Sequence, residues 1–176
     1  ELENIDWNVD DPCPQALWRI PASRMKLANE LKQDQEFEHL VPLCSEAVAV
    51  LRVAHRISGR GPLVFPGNRS GWRAMSENTL SYFYNRCGYQ GRHVPHGWRS
   101  SFSTIMNEWA ERNGTASDRH IIDLMLAHVP DGVSASEGAY NRAAFMERRR
   151  EIAEEWGRML FASFPAPIKV LSYPAR

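Results

Sequence analysis

The chain has 176 residues, 43% hydrophobic and 24% charged, with 21 basic and 21 acidic side chains and a formal net charge of zero. That length suits one domain with a real core, and no stretch approaches the roughly 18 apolar residues of a membrane span. Three separated cysteines, Cys13, Cys44 and Cys87, with no CxxC pair, exclude a disulfide framework and a cysteine-based zinc site and suit a reducing, cytoplasmic setting. The chain opens on Glu1 without a signal-peptide pattern, which reads as a piece of a longer product.

Leu17 to Ile20, closed by Pro21, reads as a short extended run, and residues 36–43 alternate for part of their length and read as a second strand. The polar link 23–35 between them predicts a β-hairpin or small antiparallel sheet, with Lys26 at or near its bend. Ser45 reads as the N-cap of a helix over 45–57, with Val48, Leu51 and Ala54 or His55 inward. Gly59-Arg60-Gly61-Pro62 stops it. Residues 63–66 read as a short buried piece and 67–71 as a loop. Ser76 caps a further helix through Leu80, Phe83 and Tyr84 to about Cys87, ended by Gly88.

The clearest helix places Trp98, Phe102, Ile105, Met106 and Trp109 at relative positions 0, 4, 7, 8 and 11, an amphipathic stripe that Asn113-Gly114 ends. Ser117 caps a helix over 119–127, and a loop over 128–136 follows. Helical patterns then cover 137–145 and 147–161, the latter with Ile152, Trp156 and Leu160 inward. The inventory predicts an α+β fold, mainly helical, with a small N-terminal antiparallel sheet. It divides into one domain over 1–164 and an extended tail over 165–176 that carries three prolines.

The zero net charge hides a strong asymmetry. Residues 1–51 hold 4 basic and 10 acidic residues, residues 52–99 hold 8 arginines and one acid, Glu77, and residues 100–176 hold 9 basic and 10 acidic residues. Arginine forks match phosphate oxygens in a bidentate way that lysine does not. Charge alone leaves a merely solvated surface equally open.

His96-Gly97-Trp98-Arg99 puts a histidine just before a helix and an arginine in its first turn, where backbone N–H groups and the helix dipole favour an anion. Alone, each of these residues is ordinary: a surface Arg on a capped helix, a His128 after a helix end, a structural Tyr140. In order, His96-Gly97-Trp98-Arg99, Leu126-Ala127-His128 and Tyr140 resemble the HxxR, LxH and tyrosine signature of the tyrosine recombinases of the phage and prophage integrase type. The flanks resemble the same family. Residues 16–26 with 39–43 are similar to its lysine-bearing β-hairpin, and Glu137-Gly138-Ala139-Tyr140-Asn141-Arg142 to its tyrosine segment. The resemblance covers roughly residues 1–160.

Two positions depart from the family pattern. Ala127 stands where the family has glycine. The family's first arginine belongs to a helix reading R-x-x-E-L-x-x-L-x-W. Glu1-Leu2-Glu3-Asn4-Ile5-Asp6-Trp7 fits it from E to W, so that arginine is expected three positions before Glu1. Arg19 and Arg24 sit in the wrong element to replace it, and the isolated chain is expected to be inactive.

The resemblance implies the catalytic core of that family and a set of roles. Tyr140 attacks the scissile phosphate and forms a 3′-phosphotyrosyl link. Arg99 and the absent arginine clamp the non-bridging oxygens. His96 moves protons at the nucleophile, His128 hydrogen-bonds the phosphate, and Lys26 protonates the leaving 5′-oxygen. No metal and no cofactor are needed. Arg69, Arg73, Arg92 and Arg142 are expected along the backbone of double-stranded DNA carrying the attachment sites. The implied assembly is a homotetramer on DNA and a monomer when free, in the cytoplasm at the nucleoid. Three other readings stay open: a non-catalytic DNA-binding remnant, a metal hydrolase on His39, His96, His120 and His128, and a helical adaptor. The histidine spacing lacks any HxxxH or HxH pair, which counts against the hydrolase.

Overall fold

The computed structural model describes residues 1–8, 11–128 and 145–171. It begins with a three-stranded antiparallel sheet in the order β1 (Leu2–Glu3), β2 (Leu17–Ile20), β3 (His39–Pro42). The β2–β3 register pairs Leu17 with Pro42 and Ile20 with His39. Arg19 bridges the strands, with ion pairs to Glu3 and Glu38 at 2.7 Å each. The segment 1–7, expected to end a helix, instead supplies the edge strand. Its chain turns at Asn4, which has φ 58°.

The β2–β3 connection is not a tight bend. It folds into three 3-10 turns, Ala22–Arg24, Asn29–Gln33 and Gln35–Phe37, around buried Ala22 and Phe37 with Leu27 and Leu31 against them. The third turn takes up residues predicted as strand. Lys26 sits exposed inside this excursion.

Helix α1 spans Ser45–Ser58 and is capped by Cys44, not Ser45. The orphan donors at its start are met from another helix: the Ser45 N–H and Oγ both donate to Glu154 Oε1, at 3.0 and 3.1 Å. Glycine at 157 allows that approach. A Cβ there would lie 2.6 Å from Cys44 Sγ and 2.5 Å from Glu46 Oε2. Burial pushes the Cys44 thiol up to about 11, so it is inert at neutral pH. Arg52, buried on α1, pins the N-terminal segment by donating to the Asp6 and Asp11 carbonyls at 2.9 and 2.8 Å.

The core lies between three helices. Phe102, Met106 and Ala110 of α3 (Gly97–Arg112) meet Ile121 and Ile122 of α4 (Arg119–Met125), and Ile152 of α5 (Met146–Phe161) closes the cluster. Phe102 and Trp156 pack edge to face at 5.5 Å. The α3 stripe is narrower than its sequence suggests. Phe102, Met106 and Ala110, four apart, are buried, whereas Ile105 and Trp98 are 39% and 46% exposed. The packed helices cover one side of α3 only, and its first turn faces a different part of the chain. A short helix α6 (Pro167–Leu171) rests on α1, where the prolines had predicted an extended tail. No helix among the described residues is long and apolar enough to cross a membrane.

An ion pair fastens α5 to the turn before α4. Arg148 donates from Nη2 and Nε to Asp118 Oδ2, at 2.6 and 3.0 Å, and the carboxylate is almost covered. The Arg148 hydrogen bonds hold the Asp118 carboxyl below the usual carboxylate range. A depressed folded pKa contributes stability that is present above the unfolded value, near 4, and is lost as pH falls through the folded value. Denaturant unfolding from pH 7 to pH 2 is therefore expected to show a loss of stability below about pH 4 that Asp118→Asn flattens. At pH 7 that variant costs about 2 kcal/mol, because Arg148 keeps Glu151 but loses its sheltered partner.

Residues 59–96 form a lobe with no fully buried side chain. The hairpin of β4 (Pro66–Gly67) and β5 (Ser70–Ala74) occupies the predicted loop. Phe65, expected to be buried, is 54% exposed. Helix α2 (Thr79–Tyr84) runs on into a π-turn over Asn85–Tyr89 that breaks at Gly88, where φ is 84°. Glycine adopts this left-handed conformation without strain.

Candidate active site

Two chain segments carry the candidate groups: the start of α3 and the end of α4. Arg99, in the first turn of α3, donates from Nη2 to the Leu126 carbonyl. Leu126 is the last residue before Ala127-His128. One guanidinium thus ties the HxxR helix to the LxH turn, and residues 27 apart in sequence become neighbours.

The α4 end has a definite geometry. Ala127 N–H donates to Leu124 O at 2.9 Å and His128 N–H to Asp123 O at 3.0 Å. Those two bonds, with a left-handed residue between, are the Schellman helix stop. Ala127 holds that left-handed position with φ 55°. The turn carries His128 back over the helix end, where its Nδ1 lies 3.5 Å from Asp123 Oδ1. A carboxylate beside Nδ1 helps orient the ring and leaves Nε2 for a ligand. Sequence reasoning missed Asp123. The signal was available, because a Schellman stop brings residues five apart together.

An L-residue in the left-handed region costs about 1–2 kcal/mol, of which glycine returns part through its freer unfolded chain. Ala127→Gly is expected to stabilise the fold by about 0.5–1 kcal/mol, a rise of roughly 1–4 °C in Tm by calorimetry. A lower Tm in the variant would contradict this account of the turn.

The α3 start differs from expectation in one respect. Its first N–H groups are already used: Gly97 donates to Val94 O at 2.8 Å, Trp98 to Pro95 O at 3.3 Å and Arg99 to His96 O at 3.1 Å. The helix dipole remains, but an anion here would be held by side chains more than by free backbone donors. His96, the N-cap residue, is exposed and makes no side-chain cap bond. Lys26 is exposed in the β2–β3 excursion and shares no hydrogen bond or ion pair with this group among the described residues. Tyr140 and Arg142 lie outside the described residues.

The arginine lobe supplies the remaining candidates. Arg69 stands at the tip of the β4–β5 hairpin, Arg73 on β5, and Arg92 after the π-turn, all exposed. A 420 Å³ cleft between hairpin and α2 is lined by Arg69, Arg73, Ser70, Ser76 and Thr79. Elsewhere arginines are engaged: Arg19, Arg24, Arg148 and Arg158 with carboxylates, Arg52 and Arg150 with carbonyls. Among the described residues, Arg69, Arg73 and Arg92 have no carboxylate partner. The lobe holds five arginines, Arg60, Arg69, Arg73, Arg86 and Arg92, against one acid, Glu77, and exposed Trp72, Tyr82 and Phe83 are interleaved with them.

The chain is similar to a prophage integrase, IntA, of Escherichia coli K12, 32% identical over 161 residues that cover 92% of this chain and 34% of that protein. It is 36% identical over 159 residues to the prophage integrase IntZ of the same strain, covering 89% of this chain and 34% of that protein. The integrase of Shigella phage Sf6 is 30% identical over 164 residues, with 91% and 37% covered. The chain thus spans about a third of the length of these curated relatives. No family model matches it, and no solved structure matches it significantly.

Proposed function

The chain is a relative of the phage and prophage integrases, and from that premise we propose that it is the catalytic domain of a tyrosine recombinase that cuts and rejoins double-stranded DNA. The observation that supports this most is the Arg99–Leu126 contact, because it gathers HxxR and LxH into one group facing solvent.

In this reading the Tyr140 oxygen attacks the scissile phosphorus. The bond to the 5′-oxygen breaks, and a 3′-phosphotyrosyl link and a free 5′-hydroxyl result. The reverse attack by a 5′-hydroxyl on another strand restores the phosphodiester, so no external energy source is needed. A tyrosine ionises near pH 10 in water, so attack at neutral pH needs a proton acceptor and positive charge around the phosphate. His96 takes part in the proton movement. Arg99 and His128 donate to the non-bridging oxygens and stabilise the charge that builds up on them. Lys26, on its surface excursion, donates the proton to the leaving oxygen. Arg69, Arg73, Arg92 and Arg142 hold the backbone and give affinity and salt dependence with little base reading. The working assembly is a tetramer on two duplexes, in the cytoplasm.

A duplex with a nick beside the cleavage position traps the covalent intermediate, because the small leaving fragment diffuses away. This chain, carried in a longer protein that supplies the upstream arginine of the integrase pattern, is expected to form an adduct on such a duplex that resists denaturation and that Tyr140→Phe abolishes, whereas the isolated chain forms little or none. An adduct that survives Tyr140→Phe would remove the nucleophile assignment. Tight DNA binding by that longer protein with no adduct would make the chain a binding module instead.

A further inference from the structure

The ring of His93 is boxed in beside the candidate site. Its centroid lies 5.5 Å from that of Tyr84 on α2 and 5.2 Å from that of Trp98 on α3, the latter edge to face. Trp98 Nε1 donates to the Tyr84 hydroxyl at 2.6 Å and closes the box. A third wall is backbone: a Cβ on Gly97 would stand 2.9 Å from His93 Cε1 and 3.2 Å from Nδ1. Within this box His93 Nε2 is covered and has no hydrogen-bond partner among the described residues, so the ring acts here by its shape.

Gly97 and Trp98 are the two residues between His96 and Arg99. We propose that His93 is a positioning residue: its ring holds the Gly97 backbone and the Trp98 indole, and so sets the directions in which His96 and Arg99 project. The shape of the ring carries the effect, since Nε2 makes no bond. This placement stands on the geometry alone, and its consequence for catalysis rests on the recombinase reading. Misplacing reacting groups by about 1 Å can cost on the order of a hundredfold in rate.

The test uses the longer protein that supplies the upstream arginine in single-turnover adduct formation on the nicked duplex, with DNA affinity measured in parallel, and amide NMR shifts of Gly97 and Arg99 in the free 176-residue chain. His93→Ala is expected to slow adduct formation by about 10–100-fold with affinity changed less than about threefold, and to move both amide signals. His93→Phe, which keeps a flat ring, is expected to recover most of the rate and the wild-type shifts. Gly97→Ala is expected to slow the reaction in the wild-type background and to do far less in His93→Ala, where its methyl group has room. An unchanged rate in His93→Ala, a His93→Phe protein as slow as His93→Ala, or additive effects of the Gly97 and His93 changes would each overturn the proposal. If the longer protein with the upstream arginine forms no adduct while the NMR signals respond as described, the recombinase reading fails and the positioning of the turn stands.

Discussion

Arg99→Lys is expected to lower the rate of adduct formation by about 10²–10³-fold while DNA affinity falls only a few-fold. The guanidinium has two tasks. One arm, Nη2, donates to the Leu126 carbonyl and holds the α4 end in place. The remaining N–H groups are those proposed to meet the phosphate. A planar fork can serve both at fixed angles, whereas a lysine ammonium is one compact charge on a flexible stem. If it reaches the phosphate it releases Leu126, and His128 shifts with the turn. If it stays on Leu126, the phosphate loses its clamp. Single-turnover cleavage of the nicked duplex distinguishes these losses from weak binding. A lysine variant within about fivefold of wild type would show that charge alone suffices at this position.

Ile152→Ala is expected to be the most damaging single truncation of the core. Ile152 has no exposed surface and closes the cluster formed by Phe102, Met106, Ile122 and their neighbours. Removing buried methylene groups costs their transfer energy plus the cavity they leave, about 2–5 kcal/mol for Ile to Ala. At about 2–4 °C per kcal/mol for a chain of this size, Tm falls by roughly 4–20 °C. The matching control is Trp72→Ala. Trp72 is larger but 74% exposed on the lobe hairpin, and its loss is expected within about 0.5 kcal/mol of neutral. A Tm drop below about 2 °C for Ile152→Ala would mean that α5 does not seal the core as described.

Much of this was readable from residue order. Helical periodicity located α1, α3 and α5, and the proline-closed run at Leu17–Ile20 with the alternation around Leu40 located the β2–β3 pair. What failed has specific causes. A hydrophobic run announces a need for burial, not whether anything covers it, so Phe65 and Trp98 were read as inward and stand exposed. Ser45 was read as a cap because local rules see only neighbours, while its acceptor, Glu154, lies 109 residues away. The edge strand at Leu2–Glu3 is too short to show alternation and exists because β2 offers it an unpaired edge. In the candidate site, His96, Arg99 and His128 were legible as a series. The carbonyl of Leu126 was not, because backbone groups carry no sequence signal. The pairing of Arg148 with Asp118, which fastens α5 to the turn before α4, carries no sequence signal, because only the fold covers the carboxylate.

The segregation of charge has a consequence for how this molecule meets a polyanion. Attraction at long range scales with net charge, which here is zero. What remains is a torque. Within about one Debye length, roughly 8 Å in physiological salt, a polyanion would attract the arginine-rich stretch and repel the acid-rich residues 1–51. Under the proposed DNA-binding reading, that bias in orientation would let the arginine lobe meet the backbone first.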